Sequence, residues 1–197
     1  MTSFFKEFAG ESDQPNNFKF NENNIKLANT IIKKYPKEYP EGALMPLLTL
    51  AQKQCNGWIP KKAIEYIAQF LDVAEIKVLE IATFYSMYNL RPVGKNHIEV
   101  CTTTPCMLRG SDNILRECEK FLKINTGSIT DDKMFSLTEV ECLGACVNAP
   151  IIKIDENYYE DLNSNNLNNL LKALANNKKT KKGSQILRKG SEPAKRK

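Results

Sequence analysis

Residues 97–106 run His97-Ile98-Glu99-Val100-Cys101-Thr102-Thr103-Thr104-Pro105-Cys106. Polar and apolar side chains alternate from His97 to Val100, which is the period of a strand with one buried face. The strand gives way to a loop that carries two cysteines. Beyond it, Ile114, Leu115, Cys118, Phe121 and Leu122 recur at the spacing of an amphipathic helix, with Ser111 placed to cap it. Phe135-Ser136-Leu137-Thr138-Glu139-Val140 alternates again and leads to a second loop with two cysteines, Cys142 and Cys146. Ile151-Ile152-Lys153-Ile154 and Tyr158-Tyr159-Glu160 predict a hairpin around Asp155-Glu156-Asn157. Leu167, Leu170, Leu171 and Leu174 mark a closing helix with Ser164 placed to cap it.

The resulting order, β-α-β-β-β-α with the first two strands joined by a helix, fits a thioredoxin-like α/β layer over residues 95–175. Upstream, residues 23–90 read as a small helical bundle. Ile25, Ala28, Ile31 and Ile32 share one helical face, and Tyr35-Pro36 and Tyr39-Pro40 end that helix. A second helix runs from Leu44 to Gln54 and a third begins at Pro60, which suits a first helical position. A fourth is expected from Ala74 to Tyr88, and Arg91-Pro92-Val93-Gly94 reads as a hinge-like connector. Residues 1–22 are polar and read as a flexible segment whose Phe4, Phe5, Phe8, Phe18 and Phe20 are free to dock on a partner. The fold class is thus α+β, with helices first and an α/β layer second.

Composition is that of a soluble globular chain: 42% hydrophobic and 26% charged residues among 197. No apolar run approaches the roughly 18 residues of a membrane span. The first residues lack both the apolar core of a secretory signal and the arginines of a mitochondrial transit peptide, so the chain reads as bacterial and cytosolic or as already processed, with Met1 favouring the first. Charge is unevenly distributed. Residues 176–197 hold nine basic side chains against Glu192 alone, a net +8 that leaves −3 for the rest of a chain totalling +5. A mildly acidic body therefore carries a basic tail, the kind of segment that is either solvated or binds an acidic surface or nucleic acid. The helical segment lacks a basic recognition face, which argues against DNA binding.

Six cysteines in a cytosolic chain point to metal binding or catalysis rather than disulfides. Four residues separate Cys101 from Cys106, three separate Cys142 from Cys146, and 35 lie between the pairs. Each pair follows a strand, so two loops at one end of a sheet can present four thiolates to one site. Four thiolates are the complement of a 2Fe–2S cluster, two per iron. Zinc tolerates similar spacings and stays open on spacing alone, as do free thiols. Thr102, Thr103 and Thr104 offer donors to sulfur, and Gly144 permits a tight turn. Neither pair has the Cys-x-x-Cys spacing of a dithiol oxidoreductase. Cys55, Cys118 and the single histidine, His97, read as structural.

Cys101-Thr102-Thr103-Thr104-Pro105-Cys106-Met107-Leu108-Arg109-Gly110-Ser111 and Glu141-Cys142-Leu143-Gly144-Ala145-Cys146-Val147-Asn148-Ala149-Pro150 resemble the two cluster motifs of one family. These are the E subunits of bacterial NADH:quinone oxidoreductase, complex I, whose mitochondrial members are small flavoprotein subunits. The similarity extends through Gly57-Trp58-Ile59-Pro60, Ala82-Thr83-Phe84-Tyr85 and Tyr158-Tyr159-Glu160-Asp161-Leu162, about residues 22 to 175. It implies a thioredoxin-like 2Fe–2S ferredoxin domain behind a helical bundle, with one cluster held by Cys101, Cys106, Cys142 and Cys146. It also implies a partner subunit that binds NADH and FMN, a neighbouring iron–sulfur subunit, and one-electron exchange with that FMN. This chain has no glycine-rich dinucleotide loop of its own. The expected place is the cytoplasmic side of the bacterial inner membrane, or the matrix side in a mitochondrion, held there through the complex. Two rival readings remain: the equivalent subunit of an NAD-linked formate dehydrogenase or hydrogenase, and a zinc-stapled adaptor that binds acidic partners through the tail.

Overall fold

Helices form in the first half of the chain wherever apolar residues recur at three- and four-residue spacing. In a computed structural model, which describes residues 7–189, they are α1 (Glu22–Ile32), α2 (Leu44–Gln54), α3 (Lys61–Leu71) and α4 (Glu75–Phe84). They belong to the first of two units, which divide between Pro92 and Val93. Asn21 caps α1 by accepting the Asn24 N–H at 2.9 Å. Leu47, Leu48 and Ala51 of α2 meet Ile64, Ile67 and Leu71 of α3 and Val78 and Ala82 of α4 in one core.

Three expectations for this unit need correction. Pro60 is the cap before α3 and not its first residue. Helix α4 ends at Phe84, because Tyr85 turns extended and Tyr88 is drawn into the core, where its hydroxyl donates to the Met45 carbonyl at 2.8 Å. The segment before α1, expected to be flexible, wraps its own bundle over residues 7–21. Phe20 is buried and makes edge-to-face contacts with Phe18, Tyr66 and Phe70, with ring centroids 5.4–6.0 Å apart. Phe8 packs on the same core. These three rings, Phe8, Phe18 and Phe20, pack on the bundle's own core; Phe4 and Phe5 lie outside the described residues.

The second unit is a six-stranded sheet in the order β2-β3-β1-β4-β5-β6. Its centre is β1 (Asn96–Cys101) parallel to β3 (Phe135–Val140), with Cys101 opposite Val140. Helices α5 (Thr104–Leu108) and α6 (Ser111–Leu122) lie in the crossover between them. Strands β4 (Ile152–Ile154) and β5 (Asn157–Glu160) form the expected hairpin, with Asp155 in the left-handed region at its turn. Helix α7 (Ser164–Ala175) packs with α6 on the sheet. Ile98, Val100, Leu137, Ile152 and Ile154 of the sheet meet Ile114, Cys118, Leu167 and Leu171 of the helices.

Both expected serine caps shift by one residue. Gly110, at φ 94°, precedes α6, so Ser111 is its first residue. Asn163 caps α7, accepting the N–H groups of Asn165 and Asn166 at 3.0 Å each, while the Asn166 side chain accepts the Asn163 N–H at 2.7 Å. This reciprocal pair satisfies donors that a helix start otherwise leaves bare. Asn163→Ala is expected to cost about 1 kcal/mol, and Ser164→Ala almost nothing. Thermal unfolding of the two variants checks it; equal midpoints would mean the box is dispensable.

Two very short strands escaped the sequence pattern: β2 (Ser128–Ile129), antiparallel to β3, and β6 (Gly183–Ser184), parallel to β5. The second alters the reading of the basic tail, which does not simply hang free. Its residues Gly183 and Ser184 join the sheet beside β5, and Arg188 forms a buried ion pair with Asp161. Among the described residues no helix is long and apolar enough to cross a membrane.

Candidate metal centre

Two parallel neighbouring strands send their following loops out at the same edge, and β1 and β3 are such a pair. Cys101 is the last residue of β1, and Cys106 lies in α5, the short helix that carries Pro105 in its first turn. Cys142 follows β3, and Cys146 begins a single turn of 3-10 helix, Cys146–Asn148. All four expected cysteines therefore sit on two loops at one end of the sheet.

The two loops come together around these sulfurs. Cys101 Sγ lies 3.3 Å from the Thr103 hydroxyl, and the backbone of Thr103 and of Leu143, the latter on the other loop, favours its charged form. Cys106 lies beside Cys101, which disfavours its thiolate, while the Ile151 backbone favours it. In the second loop Gly144, at φ 79°, turns its N–H onto Cys142 Sγ at 3.3 Å, and Cys142 Sγ stands 3.6 Å from Cys146 Sγ. A positive φ at this turn is why glycine stands there. The Tyr158 hydroxyl holds the loop from the β4–β5 hairpin by donating to the Leu143 carbonyl at 2.8 Å. Burial differs between the pairs: Cys101 and Cys106 are buried, Cys146 is half-buried and Cys142 is exposed.

The thiols influence one another. Burial works to raise the Cys101 thiol, yet the donors around its sulfur outweigh it and hold it below the ordinary value. Cys106 is pushed up to about 12 by burial and by Cys101 beside it. Cys146 is raised by its hydrogen bond with Cys142, by burial and by nearby thiols. One thiolate thus discourages the next, and only a cationic group could take all four in the charged form. Two thiol pairs, one per loop, match the two terminal thiolates that each iron of a 2Fe–2S cluster needs. Backbone N–H groups aimed at sulfur are what such a cluster uses to tune its potential. The side chains fit that group. Among the described residues no three cysteine, histidine or acidic side chains are gathered as the shell of one ion.

Other candidates lie elsewhere. Thr102 Oγ1 donates to Glu139 at 2.6 Å, so of the three threonines Thr103 is the one bonded to a cysteine sulfur through its hydroxyl. Cys118 is buried in the α/β core with its thiol pushed up to about 12, and Cys55 ends α2 with its thiol raised by burial to about 11. The backbone of Leu143 and Ile151 and the Tyr158 hydroxyl were not foreseen, since backbone groups and loop anchors leave no spacing pattern.

His97 is a strand residue, as expected. Its Nδ1 is 2.7 Å from Ser136 Oγ, and its backbone N–H donates to Asp155. Burial pushes the imidazole below its usual value; Glu99 opposes this and Lys153 adds to it. The folded chain therefore binds this proton less readily than the unfolded chain, so stability rises with pH through the window. The contribution is complete above about pH 6.5 and is lost as pH falls below that. Thermal midpoints measured from pH 7.5 down to 5.5 should fall, and the slope should flatten in His97→Gln. An unchanged slope in that variant would assign the pH dependence to other groups.

Comparison with known proteins bears on the same residues. A family model described as thioredoxin-like [2Fe–2S] ferredoxin matches residues 28–175. The NADH-quinone oxidoreductase E subunit of Rickettsia bellii is 53% identical over 160 residues, covering 81% of this chain and 96% of its own. The mitochondrial NADH dehydrogenase [ubiquinone] flavoprotein 2 of Dictyostelium discoideum is 48% identical over 175 residues, 89% of this chain and 71% of its own. Among solved structures, an NAD+-reducing [NiFe]-hydrogenase chain matches with a TM-score of 0.57 at 16% identity, over 66% of this chain and 23% of that one. That likeness is one of fold.

Proposed function

The chain belongs to the thioredoxin-like [2Fe–2S] ferredoxin family, and from that premise we propose that it is the E subunit of an NADH:quinone oxidoreductase, with Cys101, Cys106, Cys142 and Cys146 as the ligands of its one 2Fe–2S cluster. The observation that carries this is the convergence of the two cysteine loops at one end of the parallel β1–β3 pair, where Cys101 stands opposite Val140, two residues before Cys142. Identity separates the rival NAD-linked complexes. Over the aligned residues the two complex I relatives are 53% and 48% identical to this chain and the hydrogenase 16%. The zinc-stapled adaptor has no comparable support, since the matched family is named for its iron–sulfur group.

When bound, the cluster supplies a one-electron carrier for the FMN of an NADH-oxidising partner. The protein's own part is to hold and shield. Buried Cys101 and Cys106 keep one side of the site from water, while exposed Cys142 and half-buried Cys146 leave the other side approachable. The Gly144 N–H at Cys142, and the backbone of Leu143, Thr103 and Ile151 near Cys101 and Cys106, offset negative charge on the sulfurs. No side chain here need act as acid, base or nucleophile. The partners are the NADH- and FMN-binding subunit and a neighbouring iron–sulfur subunit. The complex carries the chain to the cytoplasmic face of the inner membrane, or the matrix face in a mitochondrion.

Anaerobic purification of the full chain, with iron and sulfide analysis and EPR before and after reduction, tests the reading. About two irons and two sulfides per chain, EPR-silent when oxidised and paramagnetic when reduced, are expected. Stoichiometric zinc without sulfide, in cells with intact cluster assembly, would overturn it.

A further inference from the structure

The second cysteine loop is gripped from a distant part of the chain. Its turn, Cys146–Asn148, has two backbone carbonyls bonded outside the loop. Asn148 O accepts the Asp161 N–H at 2.7 Å, and Val147 O accepts from Arg188 Nη2 at 3.3 Å. The Asn148 side chain also donates to Glu160. Asp161, at φ 55° just after β5, is the hub. Its carboxylate accepts from Arg188 through Nε at 3.2 Å and through Nη2, and from the Ser184 hydroxyl at 2.6 Å. Ser184 Oγ accepts the Arg188 N–H at 3.1 Å, and the Gln185 N–H donates to the Glu160 carbonyl at 3.0 Å.

The pair is almost dry, with side-chain exposures of 8% for Arg188 and 4% for Asp161. A buried charge pair needs several good hydrogen bonds to offset its desolvation, and here each partner has them. A guanidinium suits the position because its planar fork can serve the carboxylate while another N–H reaches a carbonyl. The lysines that precede it, Lys178, Lys179, Lys181 and Lys182, are exposed, so the anchoring is not a general effect of the charge on that stretch.

We propose that residues 183–188 form a strap that positions Cys146, with Arg188 as the positioning residue that locks the Val147 carbonyl and Asp161 together. This rests on the reading of Cys146 as a cluster ligand. The strap fixes the backbone immediately after that cysteine, the half of the site that is otherwise open to solvent. Groups that orient a ligand from behind commonly affect metal retention by about tenfold or more.

The test uses the full chain, Arg188→Gln, and the double variant Asp161→Asn/Arg188→Gln. The double variant removes both charges, so no unpaired buried charge can unfold it, yet it still lacks the guanidinium grip on Val147. Both variants should release iron to ferrozine about tenfold faster than wild type, show shifted g-values in the reduced EPR spectrum, and lose amide protection at Asp161 and across 142–149. Wild-type release, spectrum and exchange in the double variant overturn the strap. Wild-type chain without iron or sulfide overturns the cluster assignment instead, and amide exchange on the same proteins then decides whether 183–188 holds the loop.

Discussion

Cys106→Ala should emerge from anaerobic purification colourless, with iron and sulfide falling from about two of each per chain to near none. Cys106 is fully buried beside Cys101, so a solvent molecule has no ready route to take its place as a ligand. Cys118→Ala is the control. That thiol is equally buried, but it lies in the core with Ile114, Leu122 and Leu171 and not on the cysteine loops, so its loss removes packing alone. It should cost about 1–2 kcal/mol of stability and leave the cluster in place. Cys55→Ala, in the helical unit, should also keep both iron and sulfide. Iron and sulfide analysis of the three variants decides the ligand set; a Cys106→Ala protein with full iron and sulfide would remove Cys106 from it.

Gly94→Ala should unfold the α/β unit at markedly lower temperature. A methyl at this position would stand 2.3 Å from the Phe135 carbonyl carbon, 2.6 Å from the Ser136 nitrogen and 2.7 Å from Phe135 Cα. These are backbone atoms of β3, which cannot rotate away as a side chain would. The Gly94 N–H also donates to buried Ser136 Oγ at 3.0 Å, so moving the two apart loses that bond too. The strain falls where β1 and β3 begin to pair, at Asn96 opposite Phe135. Overpacking of this kind costs about 3 kcal/mol, equivalent to a fall of roughly 10–20 °C in the midpoint of a unit this size. Gly10→Ala is the matching control, since its nearest neighbour would be Ser12 Oγ at 3.8 Å. Calorimetry of both variants checks the contrast, and a drop of only a degree or two in Gly94→Ala would mean that the strands part easily.

Gly94 also shows what a sequence can and cannot convey. In Arg91-Pro92-Val93-Gly94 it reads as hinge chemistry, whereas the structure uses it for close approach between a connector and a strand. Nothing local to the motif distinguishes the two. The sheet's central strands were legible because His97–Val100 and Phe135–Val140 alternate, and burial of one face enforces alternation. Helix α2 was legible to the residue, since its apolar face is continuous and Asn56-Gly57 follows it. Strands β2 and β6 were not, because two residues are too few to carry a period. Phe18 and Phe20 misled because an aromatic in a polar segment looks the same whether it meets a partner or its own core. For the candidate site, cysteine spacing and the preceding strands pointed to the four thiols and to one end of a sheet. The backbone contributions of Leu143 and Ile151 and the grip of Arg188 depend on tertiary contacts across about 40 residues of chain, beyond the reach of any local pattern.

The two short strands have one more consequence. They are the outermost members of the sheet, β2 on one rim and β6 on the other. An exposed sheet rim is a template on which other chains can polymerise, and its hazard grows with the length of unpaired backbone. Here each rim is two residues long, and the longer strands behind them, β3 and β5, are covered in part by those rims. The 183–184 strand therefore also shields part of the β5 backbone from pairing with another chain, apart from any part it plays at the cysteines.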